Sequence, residues 1–250
     1  MPRVKIVVEY DGTAYYGWQL QKGQRTVQGT IEEALKILFK KTIRVTGAGR
    51  TDSGVHARGQ VAHFDIPDYS PLKLQRSLNG ILPRDIVIKD LNFAAADFHA
   101  RFDAVERVYR YYLSLSPVAL LRRFTWEIRH PLNLTLLQMG AEIIKGTEDF
   151  QAFCKVKSEV KHYRCRIFRS FWQMGEDGRL VYEIAANRFL HGMVRAIVGA
   201  LIALGSGKIS LSDFHTIIAE RDRRLIPLTA PARGLVLEDV RYADERFVLK

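Results

Sequence analysis

The chain has 250 residues, 47% hydrophobic and 26% charged, a globular balance that excludes whole-chain disorder. Lys and Arg number 38 against 27 Asp and Glu, and the resulting net charge of +11 favours a polyanionic partner, most often nucleic acid. The longest apolar stretch, Ala196 to Leu204, is far shorter than the roughly 20 residues that cross a bilayer, and two cysteines, Cys154 and Cys165, exclude a disulfide framework or a paired CxxC metal knuckle.

In chain order, Val4 to Tyr10 alternates as a strand and ends in the turn Asp11-Gly12, without an apolar signal core, so the expected address is the cytoplasm. Val27, Ile31, Ala34, Leu35, Leu38 and Phe39 fall at helical spacing. Gln60 to Ile66 alternates as a half-buried strand, Leu72 to Leu82 reads as a helix and Asp85 to Phe93 as a strand. This first half is β-α-β-α-β, with the glycine-rich segment Gly47 to Gly59 between elements. The second half has similar grammar: a strand at Val108 to Leu113, a helix at Leu132 to Ile144, and a hairpin of Arg164 to Met174 with Leu180 to Ala186. Helices follow at Phe189 to Leu204 and Leu211 to Ala219, then a closing strand at Gly234 to Tyr242. The pattern predicts an α+β chain of two halves, 1–104 and 105–250, each a sheet packed by helices.

Chemistry concentrates in Thr46 to Gln60, TGAGRTDSGVHARGQ. Its glycines mark backbone that needs positive φ or close approach. Gly47-Ala-Gly49 opens like a dinucleotide fingerprint, but Asp52 occupies the third glycine position, where a carboxylate would repel a pyrophosphate. No P-loop and no GxSxG elbow occurs. Asp52-Ser53-Gly54 matches the aspartic-protease triplet, but that chemistry needs two such triplets and the chain has one. His56 and His63 have no paired Cys, His or carboxylate cluster to make a metal site. Two readings of Asp52 remain: a turn-capping residue, or a catalytic carboxylate with Arg50 beside it.

A second arginine bears on that choice. Arg195 lies in the nearly all-apolar stretch Phe189 to Leu204, where Arg188, His191 and Arg195, at i, i+3 and i+7, are expected to form one polar stripe of a buried helix. A guanidinium there needs an anionic partner. It is either half of a structural ion pair or the group that holds an ionised Asp52 by a bidentate fork. Tyr109-Arg110-Tyr111 alternates, so both tyrosines share a strand face. They are either core residues or rings that stack on an extruded base. The basic runs Lys155 to Arg169 and Arg221 to Arg224 read as folded surface, solvated or bound to RNA.

GAGRTDSGVHARGQVAHF closely resembles the active-site motif of the tRNA pseudouridine synthase A family. EYDGTAYYGWQ at 9–19, DFHARF at 97–102, YRY at 109–111, FLHGMVRAIVG at 189–199 and LTAPARGL at 228–235 resemble its other blocks, in the family's order over nearly the whole chain. Ser53 departs from the more usual Ala, and KHYRCRIFR is more basic than the family pattern. The resemblance implies two ferredoxin-like (RRM-like) α+β halves around a cleft, a homodimer, and neither metal nor organic cofactor. It implies isomerisation of uridine to pseudouridine at positions 38, 39 and 40 of the tRNA anticodon stem-loop. By motif position, Asp52 would be the nucleophile, Tyr109 would contact the target uracil, Arg195 would pair with Asp52, and Arg50 would contact RNA. A non-catalytic RNA-binding module is the alternative of a different class.

Overall fold

The computed structural model describes residues 1–67, 69–155 and 160–243. In order the elements are β1 (Arg3–Tyr10), α1 (Val27–Phe39), β2 (Thr46–Gly47), β3 (His56–Asp65), α2 (Pro71–Ile81), β4 (Ile86–Ala94), β5 (Ala104–Ser114) and β6 (Trp126–Glu127). They continue with α3 (Leu134–Gly146), β7 (Ile167–Met174), β8 (Leu180–Ala186), α4 (Met193–Gly205), α5 (Leu211–Glu220) and β9 (Leu235–Tyr242). The chain is α+β with mostly antiparallel strand pairing. It divides into two compact units, Met1–Val105 joined by the chain from Leu237 onward, and Glu106–Val236. The last strand therefore belongs mainly with the first unit, whereas the sequence pattern ran the second half on to residue 250.

In the first unit β1 lies between β4 and β3, antiparallel to both, with Ile6 opposite Leu91 on one side and Ala62 on the other. The alternation of RVKIVVEY buries Val4, Ile6, Val8 and Tyr10 on one face, as a period of two requires. Helix α1 starts at the Thr26 cap, whose side chain accepts from Gly29 N–H, and buries Val27, Ile31, Ala34 and Leu35, the stripe its spacing predicts. Helix α2 packs along β4 and buries Leu74 and Leu78. From Leu237 the last strand runs beside β3, and Gly59 permits this approach, because a Cβ there would strike the Glu238 carbonyl.

In the second unit β5 pairs with β8 and β8 with β7, all antiparallel, placing Tyr111 opposite Tyr182 and Arg110 opposite Glu183. Helix α3 lies on β7, where the Ser170 hydroxyl donates to the Ala141 carbonyl at 2.8 Å. Gly140 lets α4 close on α3, since a Cβ there would meet Leu201 and Leu204. Every residue of α4 except Arg195 is buried.

The expected helix from Phe189 and its three-residue polar stripe are corrected here. Gly192 is left-handed (φ 70°) and α4 begins only at Met193, because a positive φ breaks a right-handed helix. The His191 carbonyl accepts from Lys155 N–H at 2.9 Å. Arg188 and His191 precede the helix, and a nitrogen of the Arg188 guanidinium lies 3.2 Å from His162 Nε2. Arg195 is the third residue of α4.

Candidate active site

In the first unit Asp52 sits half-buried in the loop between β2 and β3. The segment from Tyr10 to Trp18 grips this loop residue by residue. Trp18 N–H donates to the Thr51 carbonyl at 3.2 Å, and the hydroxyls of Tyr10 and Thr51 are 2.8 Å apart. The Tyr15 carbonyl accepts from both Gly54 N–H and the Ser53 hydroxyl, each at 3.2 Å. The buried His56 Nδ1 lies 3.0 Å from Gly12 N and 3.1 Å from the Asp11 carboxylate. Within the loop, Val55 N–H closes a turn on the Asp52 carbonyl at 3.1 Å, and Gly54 takes φ 76°.

Two glycines make the grip possible. Gly17 has φ 84°, and a Cβ on it would collide with the Thr51 carbonyl and crowd the backbone of Asp52 and Ser53. A Cβ on Gly47 would run into the Trp18 indole. The result is a carboxylate on backbone that is fixed on both sides, the preorganisation a reactive group needs. Burial lifts the Tyr10 phenol well above its ordinary pKa, so it stays protonated beside Thr51.

Arg50 is exposed, and its Nε donates to Gln19 Oε1 at 3.2 Å. Gln19 donates in turn to Gln28, and Gln28 to the buried Glu32 at 2.8 Å. Glu32 also accepts from Val45 N–H at 3.0 Å. Arg50 is thus the outer end of a polar chain anchored inside α1.

In the second unit Tyr109 and Tyr111 share a face of β5, as their alternation predicts, but their surroundings differ. Tyr109 meets Phe189 edge-on, ring centroids 5.1 Å apart, and Tyr111 is fully buried with its hydroxyl donating to the Pro231 carbonyl at 2.7 Å. Arg195 is half-buried, and its Nε donates to the Ala230 carbonyl at 2.8 Å while Ala230 N–H returns a bond to the Arg195 carbonyl at 3.0 Å. The structure brings Tyr109, Tyr111 and Arg195 into one unit, with Asp52 and Arg50 in the other.

Residue reasoning gave no role to the blocks at 9–19 and 228–235, and these hold the candidate site residues in place. The available signal was the pair Gly17-Trp18, a glycine before a large aromatic in a segment without strand or helix periodicity. Of the basic runs, Arg224 pairs with Asp222 at 2.6 Å and Arg221 with Asp149 at 3.6 Å, so part of that charge is neutralised locally. Residues 156–159 of the other run lie outside the described residues. Cys154 and Cys165 are both buried free thiols, and burial pushes the Cys165 thiol up to about 11. Among the described residues no group of three or more His, Cys, Asp or Glu is placed to hold a metal, and no helix is long and apolar enough to cross a membrane.

A family model described as tRNA pseudouridine synthase matches residues 6–103 and 141–243. The chain is similar to tRNA pseudouridine synthase A of Porphyromonas gingivalis, 41% identical over 99% of this chain and all of that protein. It is similar also to the protein of that name in Acetivibrio thermocellus, 44% identical over 97% of this chain and all of the relative. A third, from Geobacillus kaustophilus, is 41% identical over 98% of this chain and 96% of its own length. The loop motif, the family match and full-length relatives at this identity converge: the chain belongs to the tRNA pseudouridine synthases, enzymes that isomerise uridine in tRNA.

Proposed function

We propose that this chain converts uridine to pseudouridine at positions 38, 39 and 40 of the tRNA anticodon stem-loop, with Asp52 as the nucleophile. The observation that carries the reading is the Asp52 loop itself, a half-buried carboxylate on backbone tethered from Tyr10 to Trp18. The reaction breaks an N-glycosidic bond, turns the uracil and rejoins it through carbon. Attack on ribose C1′, attack on uracil C6 and proton removal to a glycal all begin at one ionised carboxylate. The target base must leave its stack, and a sheltered site keeps the detached uracil from escaping.

In this reading Tyr109 contacts the extruded uracil and Arg195 holds the Asp52 carboxylate ionised and oriented. Arg50 contacts the RNA, with Gln19 directing its guanidinium. The Asp52 loop belongs to an N-terminal ferredoxin-like half, residues 1–104. The Tyr109 strand and Arg195 helix belong to a C-terminal one that begins at about residue 105, the last strand returning to the first unit. The match of the family model in two separate stretches supports this division. The enzyme works as a cytoplasmic homodimer without metal or organic cofactor.

Release of tritium from tRNA labelled at uridine C5 tests the reading directly. The chain is expected to release tritium and Asp52→Asn to release none, with tRNA affinity within a few-fold of the parent. Residual activity of Asp52→Asn above about 1% removes Asp52 as nucleophile, since loss of a nucleophile costs far more than a hundredfold. Tight tRNA binding by the parent without any release would instead mark a binding module.

A further inference from the structure

The segment 228–235 is seated by small residues and by two side chains. At its start the Leu228 carbonyl lies against Gly199 of α4, where any Cβ would collide with it. Near its end Gly234 lies under the Tyr111 ring, which a Cβ would approach to 2.6 Å. Between these points Ala230 is joined to Arg195 twice, through the Arg195 Nε–H bond to its carbonyl and its own N–H bond to the Arg195 carbonyl. The next carbonyl, that of Pro231, accepts the Tyr111 hydroxyl at 2.7 Å. One peptide unit thus separates the acceptor of Tyr111 from the acceptor of Arg195.

A phenylalanine would fill the Tyr111 site without burying a hydroxyl, and a buried donor is retained only when satisfied. Here the satisfied bond fixes the backbone that sets the plane of the Arg195 guanidinium, because a planar fork bonded at Nε can no longer rotate about its stem. Burial holds the phenol protonated, far above its ordinary pKa, so it donates throughout the working pH range.

We propose that Tyr111 is a positioning residue for Arg195, acting through the Pro231 and Ala230 carbonyls; this rests on the reading of Arg195 as part of the catalytic site. Tyr111 touches neither substrate nor reacting atoms in this role. Its loss shows as slower chemistry with unchanged binding.

The test is a double-mutant cycle of Tyr111→Phe and Arg195→Lys, read by single-turnover pseudouridine formation, tRNA affinity and melting temperature. Tyr111→Phe keeps the ring and is expected to lower the single-turnover rate about tenfold, the worth of one buried hydrogen bond, with tRNA affinity within twofold. On the Tyr111→Phe background Arg195→Lys is expected to cost several-fold less than in the parent, since both remove the same alignment. A parental rate in Tyr111→Phe overturns the proposal, as do rate penalties that multiply independently. A parental rate in Arg195→Lys with a slow Tyr111→Phe removes Arg195 from the site, which refutes the underlying reading and severs the proposed link with it.

Discussion

Trp18 N–H reaches the carbonyl of Thr51, the residue directly ahead of Asp52, at 3.2 Å. This contact exists because Gly17, one residue earlier, has no side chain to keep the two backbones apart. The Asp52 loop is thereby tied to the segment that follows the first strand, and its geometry depends on residues more than thirty positions away in sequence.

Gly17→Ala tests that dependence. The new Cβ meets the Thr51 carbonyl, and the residue must also hold φ 84°, a left-handed conformation that costs a residue with a Cβ about 1–2 kcal/mol before any clash. Urea unfolding is expected to show a destabilisation of about 2–3 kcal/mol. Tritium release should fall in the protein that remains folded, because the Asp52 loop has shifted. Parental stability and rate together would show that the loop does not need this close approach.

Two helical glycines should respond to alanine with opposite signs. In an open helical position the replacement gains up to about 1 kcal/mol, and Gly80 in α2 has nothing within 4 Å of an added Cβ. In α4 the Gly199 Cβ would drive into the Leu228 carbonyl, so Gly199→Ala is expected to lower the melting temperature while Gly80→Ala raises it. A stabilised Gly199→Ala would mean that segment 228–235 yields freely.

His63 supplies a pH dependence. It is nearly buried on β3 and its Nδ1 accepts Ala100 N–H at 3.1 Å, while burial, then the nearby Arg3 charge, push its pKa down to about 4. The unfolded chain takes up the proton near the ordinary 6.5. Between these values the unfolded state binds more protons, so the contribution is fully present above pH 6.5 and is lost as pH falls towards 4. His63→Asn keeps a hydrogen-bond acceptor but cannot titrate, and its urea midpoint should change much less between pH 7.5 and 5 than the parent's. An equal change in both proteins would place the pH dependence elsewhere.

Binding to tRNA should weaken steeply with salt, because a net charge of +11 on a tRNA-modifying chain implies several neutralised phosphates. The logarithm of the association constant against the logarithm of salt concentration should have a clearly negative slope. A flat plot would show that the basic surface is not the RNA footprint.

The candidate site residues stand out in the sequence because their types are improbable where they stand. Asp52 interrupts a glycine motif, Arg195 interrupts an apolar helix, and Tyr109 and Tyr111 share a face by strand period alone. Strand and helix positions followed the same logic, since burial of one face imposes a period that any single stretch displays. What local pattern could not supply was contact between distant segments. The start of α4 at Met193 rests on Gly192 taking φ 70° and on the His191 carbonyl serving Lys155, and the apolar run by itself continued the helix back to Phe189. The different fates of Tyr109, against Phe189, and Tyr111, against Pro231, were decided by which chain segments lie over β5. The grip of residues 10–18 on the Asp52 loop is likewise a matter of backbone bonds. A backbone N–H or carbonyl is chemically the same at nearly every residue, so its partner leaves no mark in local sequence and is fixed only when the chain has folded.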